Sequence, residues 1–284
     1  MDRRLLRALL LFPLVGCERV VGVTLPATQT RLVVEARLER PRDVTATGRQ
    51  EVHLTTTDSY FSKTTPPAVR GATVRVADDS GRVVAFTEST TRPGWYETNG
   101  LIISVGRKYT LRITWLGDEY VSTETALPSV AIDSLYFSKR TGDVGPVDGL
   151  RATISLQDPE GVRNFYLWDQ FIDGRRLVSF DSLSFTRAVT SDDIFDGGQF
   201  RSVQPYDGYA VKSGQLVTLR QVSISEQAYQ FYFALSTQAE ADGSPFGTKP
   251  ASVRGNVANL TTVSKLALGY FIVSEVAERQ RRVP

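Results

Sequence analysis

A mainly β fold is what this 284-residue chain predicts, a β-sandwich first and then a second β-rich domain carrying one α-helix. Three observations predict it. Apolar residues recur at every second position in many short segments, the period of a strand with one face on a core. Polar turn sequences such as Asp79-Ser80-Gly81, Pro93-Gly94 and Asp173-Gly174 separate those segments at strand-length intervals. Valine, threonine, tyrosine and phenylalanine are frequent while methionine occurs once, a composition that suits pleated, half-buried surfaces.

The first seventeen residues stand apart from that pattern. Arg3, Arg4 and Arg7 accompany an apolar run over 5–15, the layout of a bacterial secretory signal. The run is too short to span a bilayer as a stable helix. It ends in Leu14-Val15-Gly16-Cys17, which resembles the lipobox of bacterial lipoproteins, and Cys17 is the only cysteine. Cys17 is therefore the expected lipidation site, and residues 1–17 the expected signal. Residues 18–30 lack periodicity and read as a tether from the lipid to the first strand.

Residues 31–128 read as the sandwich. Leu32, Val34, Ala36 and Leu38 alternate with Glu35, Arg37 and Glu39. Further strand segments run over 51–57, 71–76, 83–86, 109–115 and 119–122, with turns between them. Leu127-Pro128 marks a domain exit, and 129–278 reads as the second unit. There, 150–156 alternates, Phe165-Tyr166-Leu167-Trp168 is an aromatic strand, and Asp173-Gly174 is a hairpin turn. Ser223-Ile224-Ser225-Glu226 has the form of a capping box. Ile224, Ala228, Phe231 and Leu235 then form one helical stripe, which predicts a helix near 224–241. The segment 266–276 reads as a buried strand, and 279–284, with three arginines, as a frayed end.

Several chemistries are excluded or left without residues. A net charge of +2 with no basic block gives no footprint for nucleic acid. With Cys17 acylated no disulfide can form. One histidine, His53, and no free thiol cannot fill a zinc site of the usual kind, and no G-x-S-x-G elbow occurs. No catalytic residue is assigned, and the expectation is a protein that is not an enzyme. The densest acidic run is Asp192-Asp193-Ile194-Phe195-Asp196-Gly197. Asp192, Asp193 and Asp196 are read either as a structural loop, with carboxylates accepting backbone N–H bonds, or as a calcium loop. Ser134 and Ser182, in Asp-Ser-Leu tripeptides, resemble short acceptors for bacterial O-glycosylation.

In the first domain, a small-residue strand, an Asp-x-Gly turn and Gly-x-x-Tyr-x-Leu follow in an order similar to the immunoglobulin-like sandwiches of the transthyretin and carboxypeptidase-regulatory type. Taken whole, the chain resembles a family of Bacteroidota outer-membrane lipoproteins known only as a domain of unknown function, DUF4249-like. The residues that carry the resemblance are Leu32-Val33-Val34-Glu35, Pro66-Pro67 followed by Gly71-Ala72, and Gly94-Trp95-Tyr96. They continue with Asp158-Pro159, the acidic run, Ile224-Ser225-Glu226 with Tyr229, Gly255-Asn256-Val257 and Leu268-Gly269-Tyr270-Phe271. The resemblance implies a lipid-anchored protein of the outer membrane, often encoded beside a TonB-dependent β-barrel transporter. It implies an accessory that captures or gates a small-molecule, peptide or glycan ligand. It supplies no catalytic residues and no cofactor. The alternatives are a surface glycan or peptide hydrolase working through carboxylates, and an adhesion or envelope-scaffold protein. Only Glu18 is acidic before Arg19, so these residues do not select between the periplasmic and cell-surface faces. Second-domain loops are expected to make most ligand or transporter contacts, with the first sandwich as a spacer.

Overall fold

The computed structural model describes residues 29–44, 48–59, 62, 64–139, 149–177, 188–193, 195–239 and 253–284. Cys17 and Ser182 lie outside the described residues, as do the expected signal and tether up to 28 and the stretches 140–148, 178–187 and 240–252.

The first half contains β1 (Leu32–Pro41), β2 (Gln50–Thr56), β3 (Thr73–Asp78), β4 (Val83–Glu88), β5 (Trp95–Thr98), β6 (Lys108–Trp115) and β7 (Asp118–Thr125). The alternation in β1 does what its period implies: Leu32, Val34, Ala36 and Leu38 are buried, and Glu35, Arg37 and Glu39 project from the opposite face. Side chains of β1, β2 and β5 meet those of β3, β6 and β7 in one core that includes Leu54, Tyr96, Val76, Leu111 and Ile113. β4 pairs with both β3 and β5, so it turns the corner between the two layers.

The second half contains β8 (Ser134–Lys139), β9 (Leu150–Gln157), β10 (Phe165–Ile172), β11 (Arg175–Arg176), β12 (Val189–Ser191), β13 (Gln199–Val203) and β14 (Leu216–Ser223). Helix α1 (Glu226–Ala239), β15 (Ala258–Asn259) and β16 (Leu268–Arg282) follow. A three-stranded sheet, β13-β9-β8, shares a core with β10 and β14 around Trp168, Ile154, Leu156 and Leu219. The aromatic strand is core as its composition implies, with Phe165, Tyr166 and Trp168 all buried.

β16 departs from the sequence expectation in two ways. Its residues up to Val276 pair in parallel with β1, and from Val276 to Arg282 it pairs antiparallel with β14. β15 pairs with β7, and Val257, Ala267, Phe271 and Val273 belong to the first core. The linear division into 31–128 and 129–278 is thus crossed, because residues after 256 complete the first sandwich. Nor does 279–284 fray. Arg279 Nε donates to the Ile132 carbonyl at 2.9 Å, an Arg281 guanidinium N–H donates to Leu135 O at 2.9 Å, and Val283 is buried. Charged tips on apolar stems cover the sheet here, which composition alone does not reveal.

The helix begins at Glu226, two residues later than the apolar stripe implies. Ser223 remains in β14, and Ser225 is the cap, its Oγ accepting from Ala228 N at 3.2 Å. Glu226 pairs with Arg163 at 2.9 Å instead of closing a capping box. Ile224 and Ala228 are buried, whereas Phe231 and Leu235 are half-buried, so the helix covers its sheet only in part. Among the described residues no helix is long and apolar enough to cross a membrane.

Candidate functional site

A cleft of about 210 Å³ opens between strands of the two halves, β1, β2 and β5 on one side and β10, β11 and β14 on the other. Its floor is the polar face of β1. Arg37 reaches Asp169 of β10 at 2.7 Å and Glu39 at 2.7 Å. Asp169 is buried and also receives Arg176, whose Nε lies 3.0 Å away. Glu39 in turn receives Arg220 of β14 at 2.6 Å. Charges of alternating sign therefore run from β11 to β14 as one network. At the other end of the cleft His53 stacks on Trp95, ring centroids 4.4 Å apart, and its Nδ1 lies 3.4 Å from a Glu35 oxygen. The Arg92 guanidinium sits over the Trp95 ring at 4.7 Å and donates to Glu97 at 3.0 Å and to Glu51.

The electrostatics follow from these contacts. Burial would raise the Asp169 carboxyl, but the guanidinium groups of Arg37 and then Arg176 outweigh it and hold it well below the usual carboxylate range. Glu39 shows the same balance, with burial opposed by Arg37 and Arg220 and a net lowering. Glu35 is lowered by its hydrogen bond to His53. Every carboxylate lining the cleft has a cationic or histidine partner, Glu51 being held by Arg49 at 2.9 Å as well as by Arg92.

The acidic run forms a different cluster from the one its sequence implies. Asp158, from the loop after β9, joins Asp192 and Asp196, with one oxygen of each within 4.8 Å of the others. Asp193 does not take part: it turns outward to Arg163 at 3.0 Å and Ser191 at 2.8 Å. Each clustered carboxylate hooks a backbone N–H from a neighbouring segment. Asp192 accepts from Asn164 at 2.6 Å, Asp196 from Gly161 at 2.7 Å and Asp158 from Gly197 at 3.2 Å. The Tyr166 hydroxyl donates to Asp158 as well. Burial, and then the neighbouring Asp192 and Asp196 charges, raise the Asp158 carboxyl. These bonds tie the turn at 158–164 to residues 192–193 and 195–198. Asp192→Ala should then cost about 1–3 kcal/mol, the loss of a partner for a buried donor. Asp193→Ala, which breaks an exposed pair, should stay within about 1 kcal/mol. Thermal melts of both variants test this. A wild-type midpoint that rises with added calcium, and does not in Asp192→Ala, would give the cluster to a cation.

Ser134 lies in β8 with its Oγ 2.6 Å from Ser155 Oγ, so in the folded protein this hydroxyl is engaged across the strand pair. Sequence reasoning missed the cleft residues Arg37, Asp169, Arg176 and Arg220. One signal was present: Asp169 and Gln170 interrupt the aromatic and aliphatic run of β10, and a buried charge there requires a partner. The cleft takes much of its lining from the first sandwich, with Glu35, Glu51, His53 and Trp95 among the residues.

No curated protein matches the chain. Among solved structures, a DUF4785 family protein from Legionella pneumophila is similar at 10% identity and a TM-score of 0.21, over 68% of this chain and 53% of that one. An α-L-rhamnosidase from Aspergillus terreus is similar at 12% identity and a TM-score of 0.23, over 70% of this chain and 28% of that one. The chain thus spans about half and about a quarter of those proteins, and likenesses this slight carry no functional argument. The family match is of another order, for it runs from residue 18 into β16. The chain belongs to the family described as a domain of unknown function, DUF4249, which matches residues 18–280.

Proposed function

We propose that this protein is a non-catalytic accessory of a TonB-dependent β-barrel transporter, anchored to the bacterial outer membrane by lipid on Cys17 and capturing or gating a polar ligand. One observation carries the non-catalytic part. A general acid or base works best with its pKa near the operating pH. In the cleft, Glu35, Glu39 and Asp169 are all displaced the other way, downward, and remain ionised. Fixed charges of both signs beside a Trp–His stack suit recognition of a small polar ligand. Among the described residues two acids are displaced upward, both by burial: Asp158, in the turn cluster and bonded to Tyr166, and Glu124, which accepts from Asn256 at 2.9 Å. An anchor holds the body close to any integral membrane partner and raises its effective concentration there, so even a weak contact is occupied.

Crosslinking in intact cells with the native anchored protein, read by mass spectrometry, tests this reading. The expected result is crosslinks to a β-barrel transporter, lost in Cys17→Ser together with incorporation of a fatty-acid analogue. Acylation that persists in Cys17→Ser would remove the anchor, and partners that include no transporter would remove the accessory role.

A further inference from the structure

The hairpin between β6 and β7 turns on two residues, Leu116 and Gly117, with φ of +50° and +83°. A two-residue turn with both φ positive favours Asn-Gly or Asp-Gly, and this protein follows that rule at Asp173-Gly174, where φ is +49° and +78°. Leucine at such a position is conformationally costly. Burial does not repay it, because Leu116 is 83% exposed. Neither backbone preference nor packing accounts for this residue.

Leu116 has neighbours of the same kind. The loop between β15 and β16 carries Val263, 75% exposed, Leu260, 56%, and Leu266, 38%. That loop is pinned to the start of β7, beside the turn. Leu260 N donates to Glu119 O at 2.7 Å, Thr262 Oγ1 to Asp118 at 2.7 Å, and Lys265 Nζ lies 3.1 Å from Asp118. Asn259 Oδ1 accepts from the backbone of Thr261 and Thr262 at 3.0 and 2.8 Å. The apolar side chains are therefore held outward by a fixed loop, with half-buried Trp115 next to them.

The place of this tip in the fold indicates what covers it. The loop leads directly into Leu268, which pairs with Val33 at the start of β1. Leu116, Leu260, Val263 and Leu266 thus lie at the end of the sandwich where the chain arrives from residues 18–30. The β3–β4 turn, at Asp79-Ser80-Gly81, lies at the opposite end, since Asp78 pairs with Tyr109 and Thr73 with Thr114.

We infer that this tip rests in the interfacial layer of the bilayer to which the chain is anchored, with Leu116, Leu260, Val263 and Leu266 as its apolar contacts. Exposed apolar side chains beside a tryptophan match the headgroup boundary, where an apolar body and a polar rim are both satisfied. The tether allows it: thirteen residues span at most roughly 45 Å, and shorter paths bring the tip to the surface. The protein would then stand on its β1 end, with the seam and its cleft held at a set height above the lipid.

The inference rests on the anchored reading, and the experiment separates the two. The full-length acylated protein is reconstituted in phosphatidylethanolamine–phosphatidylglycerol vesicles, where an introduced thiol is the only one free for an environment-sensitive dye. With Leu116→Cys the dye should shift to the blue, resist aqueous iodide and be quenched by spin-labelled lipid. With Ser80→Cys, at the far end, it should do none of these. A protein that fails to float with the vesicles overturns the anchor and the tip together. One that floats while the dye at 116 stays in water overturns the tip alone. A blue shift seen in native envelopes but not in protein-free vesicles would assign the tip to a protein partner and also overturn the proposal. Leu116→Asn, better suited to the turn, should melt no lower than wild type. A lower midpoint would mean that the leucine serves the fold and not the membrane.

Discussion

Asp169→Asn should lower the stability of the protein by about 3 kcal/mol, because it removes the anion that two guanidinium groups share in a buried place. Asp169 is 2% exposed and bridges Arg37 and Arg176, and Arg37 Nε already lacks a partner. In that variant Arg37 keeps only Glu39 as an anionic partner. The melting midpoint should fall by roughly 10 °C for a chain of this size. Arg163→Gln, which breaks exposed pairs with Asp193 and Glu226, is the control and should change stability by less than about 1 kcal/mol. The pH dependence has a fixed sign. The folded carboxyl is held below its unfolded value, so its contribution is complete above about pH 4 and is lost as the pH falls through the folded value. Acid titration should thus be shallower in Asp169→Asn than in wild type. Equal slopes, or equal midpoint losses for the two variants, would show that the network is not a stabilising unit.

Gly269→Ala should cost more than about 3 kcal/mol, combining backbone strain with a steric block. Gly269 has φ of +86°, and a Cβ there would overlap the Val34 carbonyl oxygen in the β1–β16 ladder. Gly255 packs against it, since a Cβ on Gly255 would overlap the Gly269 carbonyl. Gly214→Ala separates the two terms. Its φ of +83° is similar, but nothing lies within 4 Å of the added methyl. That variant should lose only about 1–2 kcal/mol. Denaturant melts of the pair decide the matter, and a Gly269→Ala loss no larger than that of Gly214→Ala would mean that β1 and β16 can move apart without cost.

What could be read from the sequence was local. The alternation of β1, the turn at Asp173-Gly174 and the aromatic strand of β10 each follow from spacing within ten residues, and each is present. The helix was legible as a stripe, but not its start, because Ser223 and Ser225 compete for the cap and only the register of β14 decides between them. The cleft was not legible. Arg37 and Asp169 are 132 residues apart, and nothing near either residue names the other. In the acidic run, spacing favoured Asp192, Asp193 and Asp196 together, yet Asp158 replaces Asp193 because the turn at 158–164 folds under the run. The expected fraying after 278 failed for a related reason: arginines at a chain end read as solvated unless the carbonyls they cap are known.

β16, residues 268–282, has a part in the order of events as the chain folds. Its first portion pairs with β1 and its last with β14, so both halves lack a strand until it arrives. Domains of a growing chain generally fold as units, the N-terminal one first. Here the first sandwich must wait for a partner more than two hundred residues downstream, and contacts of such separation form slowly. A chain that cannot close its first core early stays open while the rest of it is being made. Both halves then lock together once β16 is in place, with one strand serving as the common latch.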